Sequence, residues 1–515
     1  MAMSPCKLTL HSYSDALSGL IICAEIIFSP WAFGTTDHWS IWTMNIFGLL
    51  LGLLLGIKLL IRASTRYQFP RWDDFGEDEE GFFKGQRFRI TRIALAIFSG
   101  LIVLYCLIHA WNSKCTVDMT TFTLSERPCI SWLPHSFDGP SCWEAFWRYL
   151  ALTLSFWAIH DWLMGKSPKD ARHCRRPSTQ EHALVGQTSG LPAPGVSNSV
   201  VNSPLPSRLS LLLWVLCING ALLGLEAIIQ RACASNYLLF LRLPPEQPTV
   251  EAQFGPYAYR SNACQYFNLV WPVCVGFWWT LRRGRRQSNP GMGVILRPAV
   301  LISAGIMALC TLITASRLGA FTGAVSILAA AIVIWTGTRS GDNKLKWGIA
   351  GTVLLVFGLG FLMGWDRLAG RLSEFNIDEG FANRNIMYEL ADQMAVDNPV
   401  WGTGPGTFAN LYFLYRKDPG EDWFAQLHND WLETQITFGW VGCGLLAIAF
   451  AILLSRWFAT GRIGGGRRLP LLLLIAMAGA FLQARWDFPF QIYSTLFAFM
   501  IACSVFFALS RHRYR

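Results

Sequence analysis

The chemistry legible in this sequence of 515 residues rests on one histidine and a few arginines. His428 is followed by Asn429, and nine residues later comes Gly439-Trp440-Val441-Gly442. An imidazole at a membrane surface can serve as a base or as a hydrogen-bond donor near neutral pH. If a helix starts near His428, steps of about 100° per residue return Gln435, Gly439 and Gly442 close to its face. Gly439 then lies about 16 Å deeper than His428. The two glycines let a neighbouring helix approach closely and hold the stripe rigid. Asn429 and Gln435 join His428 as polar groups for a substrate. The plainer reading is an interfacial histidine with an amphipathic role above two packing glycines.

Arginines supply the second signal. Arg317 lies in Ala315-Ser316-Arg317-Leu318-Gly319, and Arg260 in Tyr257-Ala258-Tyr259-Arg260-Ser261-Asn262. A guanidinium forms bidentate bonds to phosphate, so two of them facing one cavity suit a lipid-linked phosphate or pyrophosphate. Snorkelling to lipid head groups is the competing role. Arg384, Arg371 and Arg416 fall in a segment that is polar in any case, and Arg384 is kept as a substrate ligand. Arg485 with Asp487 reads as a local ion pair. Glu374, Asp378 and Glu379 lack metal-ligand spacing and read as a solvated face, so no metal is expected. Gly402-Thr403-Gly404-Pro405-Gly406 contains proline and no following Lys-Ser/Thr, and neither GxSxG nor HExxH occurs. No nucleotide or other cofactor is expected, and that favours a pre-activated donor.

The elements that must position these groups are membrane spans. Only 15% of the residues are charged and 52% are hydrophobic, against roughly 25% charged in soluble domains. Apolar blocks of about twenty residues exclude a disordered chain and an ordinary soluble enzyme. Twelve spans are read at about 16–36, 41–61, 91–111, 144–163, 208–229, 264–281, 296–315, 318–336, 347–365, 431–455, 469–484 and 490–510. The first runs to Phe33 without a small-residue cleavage site and reads as an anchor. Lys166, Lys169, Arg172, Arg175, Arg176, Arg282, Arg283, Arg285, Arg286, Arg339, Lys344, Lys346, Arg462, Arg467, Arg468, Arg511, Arg513 and Arg515 all fall on one side of an alternating twelve-span chain. That side is then cytoplasmic, with both termini inside. The net charge of +10 is mostly topological and points to no nucleic acid. Arg260 and Arg317 break the rule by lying outside, beside His428.

The expected fold is an all-α polytopic membrane protein of about twelve transmembrane helices, with a large helical periplasmic loop between spans nine and ten. Its parts are spans one to four (1–163), a cytoplasmic disordered linker rich in Pro, Ser and Gly (164–207), spans five to nine (208–365), a periplasmic catalytic loop (366–430) and spans ten to twelve (431–515). Within the loop, Ile386, Leu390 and Met394 have helical spacing, and Asp397-Asn398-Pro399 stops that helix. Cys115, Cys129, Cys142 and Cys233 lie in outer loops where disulfides can form, with no assignable pairing.

The run HN-x9-GxxG at 428–442 resembles the O-antigen ligase and polymerase family of glycan-transferring membrane proteins. DNPVWGTGPGTF at 397–408, SRLGAF at 316–321 and DFPFQIYSTLFAF at 487–499 support the resemblance, which covers roughly residues 250–510. It implies a glycan donor on undecaprenyl pyrophosphate, used at the periplasmic face of the bacterial inner membrane without nucleotide or metal. It implies that His428 assists an acceptor hydroxyl and that Arg317 and Arg260 hold the pyrophosphate. Arg260 departs from the family's Asn-rich version of its segment. The acceptor is a glycan, a lipid or a protein hydroxyl, with membrane lipids as surroundings. The alternative is a lipid-linked glycan flippase or other polysaccharide transporter, which calls for charge near mid-bilayer. Only Glu25 and Glu226 stand out as such charges.

Overall fold

The structure, a computed structural model, describes residues 5–65, 69–72, 79–118, 123–168, 170, 205–244, 249–283, 290–373, 377–415, 425–458 and 468–510. Most of the 164–207 segment, Glu374, Arg416, Arg285, Arg286, Arg462, Arg467 and the terminal arginines lie outside the described residues.

A helix lies over each of the twelve apolar blocks: α1 (Pro5–Trp31), α2 (His38–Thr65), α3 (Glu79–Trp111), α4 (Gly139–Met164), α5 (Ser207–Ala232), α6 (Arg260–Arg283), α7 (Pro290–Ile313), α8 (Arg317–Gly337), α9 (Asn343–Ser373), α12 (Asp430–Phe458), α13 (Arg468–Ala484) and α14 (Tyr493–Leu509). Between α9 and α12 lie α10 (Ile377–Asp397) and α11 (Phe408–Tyr415). Among the described residues, seven helices, α1, α2, α3, α5, α8, α9 and α12, are long and apolar enough to cross a membrane. The apolar part of α7, α13 and α14 are shorter. α6 is polar for a span because it is central. It carries Asn262, Gln265 and Asn268, all buried, so its neighbours rather than lipid surround it. Close approach is visible at Gly276, where a Cβ would sit 2.9 Å from the Leu469 Cα, and at Gly319, where it would sit 2.4 Å from the Cys264 Sγ.

The fold is all-helical, as expected, apart from one short hairpin. Residues after α3 form an antiparallel hairpin, β1 (Cys115–Asp118) with β2 (Thr123–Glu126), in register Cys115↔Glu126 to Asp118↔Thr123. Thr and Val favour extended backbone, and Cys115 and Val117 alternate inward from Thr116 and Asp118. Cys115, Cys129, Cys142 and Cys233 carry free thiols.

Segment 366–430 supplies most of a second, small core. Met387, Leu390, Ala391 and Met394 of α10 are buried with Phe408, Leu411 and Tyr412 of α11 and with Val117, Leu427 and Ile436. Leu390 and Met394 of the expected stripe are thus buried, with Met387 and Ala391 beside them, while the side chain of Ile386 lies outside the described residues. α10 ends at Asp397, where the following Pro399 forbids continuation. The Tyr415 hydroxyl donates to the Asp397 carboxylate at 3.1 Å. Burial, then that carboxylate, pushes the Tyr415 phenol up to about 12, so the donor persists at physiological pH.

The interior also holds more charge than Glu25 and Glu226. Lys58 of α2 is fully buried, 3.4 Å from Asp15 of α1 and 3.1 Å from Asp161 of α4. Arg62 and Arg71 reach Asp161 at 2.6 and 2.7 Å, and Arg208 of α5 pairs with Asp15. This network ties together the start of α1, the ends of α2 and α4 and the start of α5. Each charge has a partner of opposite sign, without which a buried ion is strongly destabilising.

Candidate functional site

The site begins with a break in α12. Gly439 has φ 58° and ψ −175° inside that helix, a conformation almost restricted to glycine. The expected continuous stripe from His428 to Gly442 is therefore interrupted. A helix break strands carbonyls and N–H groups, and within a membrane these must be satisfied by protein. The segment Pro399–Gly404 satisfies them. Thr403 N–H donates to the Ile436 carbonyl at 2.8 Å and Gly404 N–H to that of Thr437 at 3.0 Å. In return, Trp440 N–H donates to Pro399 at 2.9 Å and Val441 N–H to Val400 at 3.2 Å. The Tyr105 hydroxyl of α3 lies 2.6 Å from the Trp401 carbonyl and 2.7 Å from that of Phe438. One proton there serves both.

Glycines make this docking fit. A Cβ on Gly439 would stand 2.4 Å from the Val400 carbonyl oxygen, and one on Gly402 2.5 Å from the Gly439 nitrogen. Gly439 thus admits the Gly-rich turn and not a neighbouring helix, which corrects the packing role expected for it. Gly442 does face a helix: a Cβ there would lie 3.0 Å from the Tyr105 ring. The far side of the turn rests on the α4 entry, with Phe137 N–H donating to Thr403 at 3.0 Å and the Cys142 thiol to Pro405 at 3.2 Å.

His428 lies just outside α12, with φ 57°. Asn429 is the cap of that helix: its side-chain oxygen accepts from Leu432 N–H at 3.3 Å. The amide expected to bind substrate thus has a structural task. Glu433 accepts from Leu427 N–H at 2.9 Å, which fixes the chain on the other side of His428. Asp430, at the positive end of the helix, draws in the loop before α14. It accepts from Phe490 N–H at 2.7 Å and from the Gln491 amide at 3.1 Å.

That capture delivers Asp487 and Phe488 to His428. Asp487 Oδ1 lies 3.6 Å from His428 Nδ1, within ion-pair range and beyond a hydrogen bond. The partner expected for Asp487 was Arg485. The structure instead turns Asp487 to His428 and Arg485 over the Trp486 ring, 5.6 Å from its centre. Phe488 packs edge-on to His428 at 4.8 Å, and Tyr259 stacks on Phe488 at 5.6 Å. The His428 side chain stays about one-fifth exposed.

Tyr259 connects the histidine to the arginines, because Arg260 follows it as the first residue of α6. Upstream, Gly255 at φ 61° makes a turn in which Phe254 and Tyr257 bond to each other's backbone and are buried. The Tyr257 hydroxyl meets Ser494 at 3.2 Å. Arg260 is buried and donates to the Glu251 carbonyl. Arg317, the first residue of α8, is exposed. Between them the hydroxyls of Ser261 and Ser316 meet at 3.0 Å, and the Asn268 amide donates to the Gly319 carbonyl at 3.0 Å. Two helix N-termini headed by arginines thus adjoin each other. Their partial positive charges add to the guanidinium charges, an arrangement suited to an anion.

The structure thus joins His428, Arg260 and Arg317 through Tyr259, Phe488 and the serine pair. Gln435 is half-buried farther along α12. Arg384 belongs to α10, and its side chain lies outside the described residues. Sequence reasoning missed Asp487, Tyr259, Phe488 and Tyr105. DFPFQIY was a visible signal for two of them, but its pairing with Asp430 is non-local. Among the described residues no group of His, Cys, Asp and Glu could hold a metal ion.

The helices and this cluster define a multi-pass membrane protein with an anion-suited polar site. Residues 302–447 match the family model of the O-antigen ligases, and this supports the O-antigen ligase and polymerase family for the chain. The match contains Arg317, His428, Asn429, Gly439 and Gly442, whereas Tyr259, Arg260 and Asp487 lie outside it. No curated protein matches the chain.

Proposed function

We propose that the protein is a membrane glycosyltransferase that moves a glycan from undecaprenyl pyrophosphate to an acceptor hydroxyl, in polymerising or ligating a surface polysaccharide. The observation that carries this reading is the convergence of His428 with the arginine-headed N-termini of α6 and α8. The acceptor oxygen attacks the anomeric carbon as the bond to the lipid pyrophosphate breaks. His428 takes or orients the acceptor proton. Negative charge grows on the pyrophosphate, so fixed positive groups stabilise the transition state more than the ground state. Arg317 supplies one such group at the exposed mouth and Arg260 another, with Asn429, Gln435 and Arg384 as substrate contacts. We place the site on the periplasmic face of the bacterial inner membrane, with twelve spans and both termini cytoplasmic.

Translocation is the lesser reading. The buried charges Asp15, Lys58 and Asp161 are paired with one another at the helix ends opposite His428, and so do not line a path to it. The test is transfer from a lipid-pyrophosphate donor in membranes. His428→Ala should cost roughly 10²–10⁴-fold and Arg317→Ala on the order of a hundredfold, at normal expression. Wild-type rates in both variants would refute the site.

A further inference from the structure

Arg456, in the last turn of α12, is 2% exposed and makes no ion pair among the described residues. Phe507 of α14 lies 3.9 Å from its guanidinium carbon and Phe88 of α3 4.8 Å. The rings attract the cation, and the end of a helix favours its charge. Neither supplies an acceptor, and Nε, Nη1 and Nη2 have no hydrogen-bond partner.

Its surroundings add positive charge. Arg92 of α3, half-buried, lies within electrostatic range of Arg456 and has the same sign. His160 of α4 packs on the same Phe507 ring at 5.0 Å, and its buried Nδ1 is also unpartnered. The acid of this neighbourhood is Asp161, which Lys58, Arg62 and Arg71 already share. The Trp457 indole N–H donates to the Phe506 carbonyl at 2.8 Å. That bond pins the end of α12 to α14 and holds Arg456 inward. A buried cation without a counter-charge is strongly destabilising, and an anion between two guanidinium groups relieves both.

We infer that Arg456 and Arg92 bind a phosphate group between α3, α4, α12 and α14, at the helix ends opposite His428. A planar guanidinium with its N–H edge unused suits bidentate binding of phosphate. Basic pockets between membrane helices take anionic lipid head groups, and a soluble phosphate offers the same chemistry. Phe507 is fully buried whereas Phe88 is half-buried, so the ligand approaches past Phe88. Exposed Arg89, nearly one turn before Arg92, extends the basic strip in that direction. This site is separate from His428 and does not rest on the transfer reading.

The full chain, purified into nanodiscs of zwitterionic phosphatidylcholine, is titrated with phosphatidylglycerol and, separately, with inorganic phosphate. The melting midpoint of the wild type should rise to saturation with phosphatidylglycerol. In Arg456→Met the half-saturating amount should increase about tenfold or more, the loss of charged hydrogen bonds. Arg92→Gln should shift it in the same sense and, at a half-buried position, carries the test if Arg456→Met does not fold. In phosphatidylcholine alone, Arg456→Met should melt no lower than the wild type, because it removes an unpaired buried charge. An equal rise with inorganic phosphate would sustain the site and assign it to a soluble anion. A wild type that responds to neither anion, or variants that respond as the wild type does, would overturn the inference and leave Arg456 as a packing residue between two rings.

Discussion

At 3.6 Å from the His428 Nδ1, the Asp487 carboxylate is positioned to decide which ring nitrogen carries the proton. A carboxylate beside one nitrogen favours the proton there and leaves the other as the acceptor. Asp487→Asn keeps an oxygen for Phe488 N–H, which Asp487 Oδ1 now binds at 3.1 Å, and removes the charge. Expected is a roughly ten- to hundredfold fall in kcat, by analogy with the outer partners of metal-bound histidines, with KM nearly unchanged and partial rescue by Asp487→Glu. Equal losses in expression and activity would make Asp487 structural only. At this scale the sequence was readable where one residue type carries the chemistry, as with His428 and Arg317. It was opaque where a partner arrives from far along the chain, because Asp487 reaches His428 only after Asp430 has bound Phe490 and Gln491.

The broken α12 is held by its neighbours in sequence-specific ways. Ile436, Thr437 and Phe438 lose their helical donors at Gly439 and regain others from Thr403, Gly404 and Tyr105. Gly439→Ala should therefore destabilise the protein by roughly 1–3 kcal/mol through backbone strain alone, with more from the Val400 oxygen 2.4 Å from the new Cβ. Gly444→Ala is the control, since its Cβ would meet nothing within 4 Å and alanine favours a helix. Melting midpoints in detergent should fall for the first and hold or rise for the second. A fall only in the second would refute this account of the break. Helical periodicity found α10 and α12 because it needs only local spacing. The same periodicity assumes an unbroken helix, so it aligned Gly439 with His428 and overlooked the break. The cue was present in two Gly-rich runs, 402–406 and 439–442, which the fold places against each other.

Across the whole molecule, charge placement carries the topology argument. The twelve apolar blocks were legible because each is a run of about twenty apolar residues, and a helix lies over each. Span identity is less direct for α6, whose polar residues are tolerable only because other helices wrap it. The hairpin β1–β2 was not legible, since four-residue strands leave too little periodicity to detect. If the basic residues after α6 and α8 face the cytoplasm, then α10 and the exposed thiol of Cys233 face the other side. An impermeant maleimide applied to intact cells with a permeabilised outer membrane should label native Cys233 and a cysteine at exposed Val396. A cysteine at exposed Asn343, at the start of α9, should react only after the inner membrane is opened. The opposite pattern would place His428 and the arginines among cytoplasmic solutes, where a lipid-linked donor displayed outside could not reach them. Orientation and chemistry therefore stand or fall on one labelling pattern, because the arginines are unusual only if they lie on the side where positive charge is otherwise scarce.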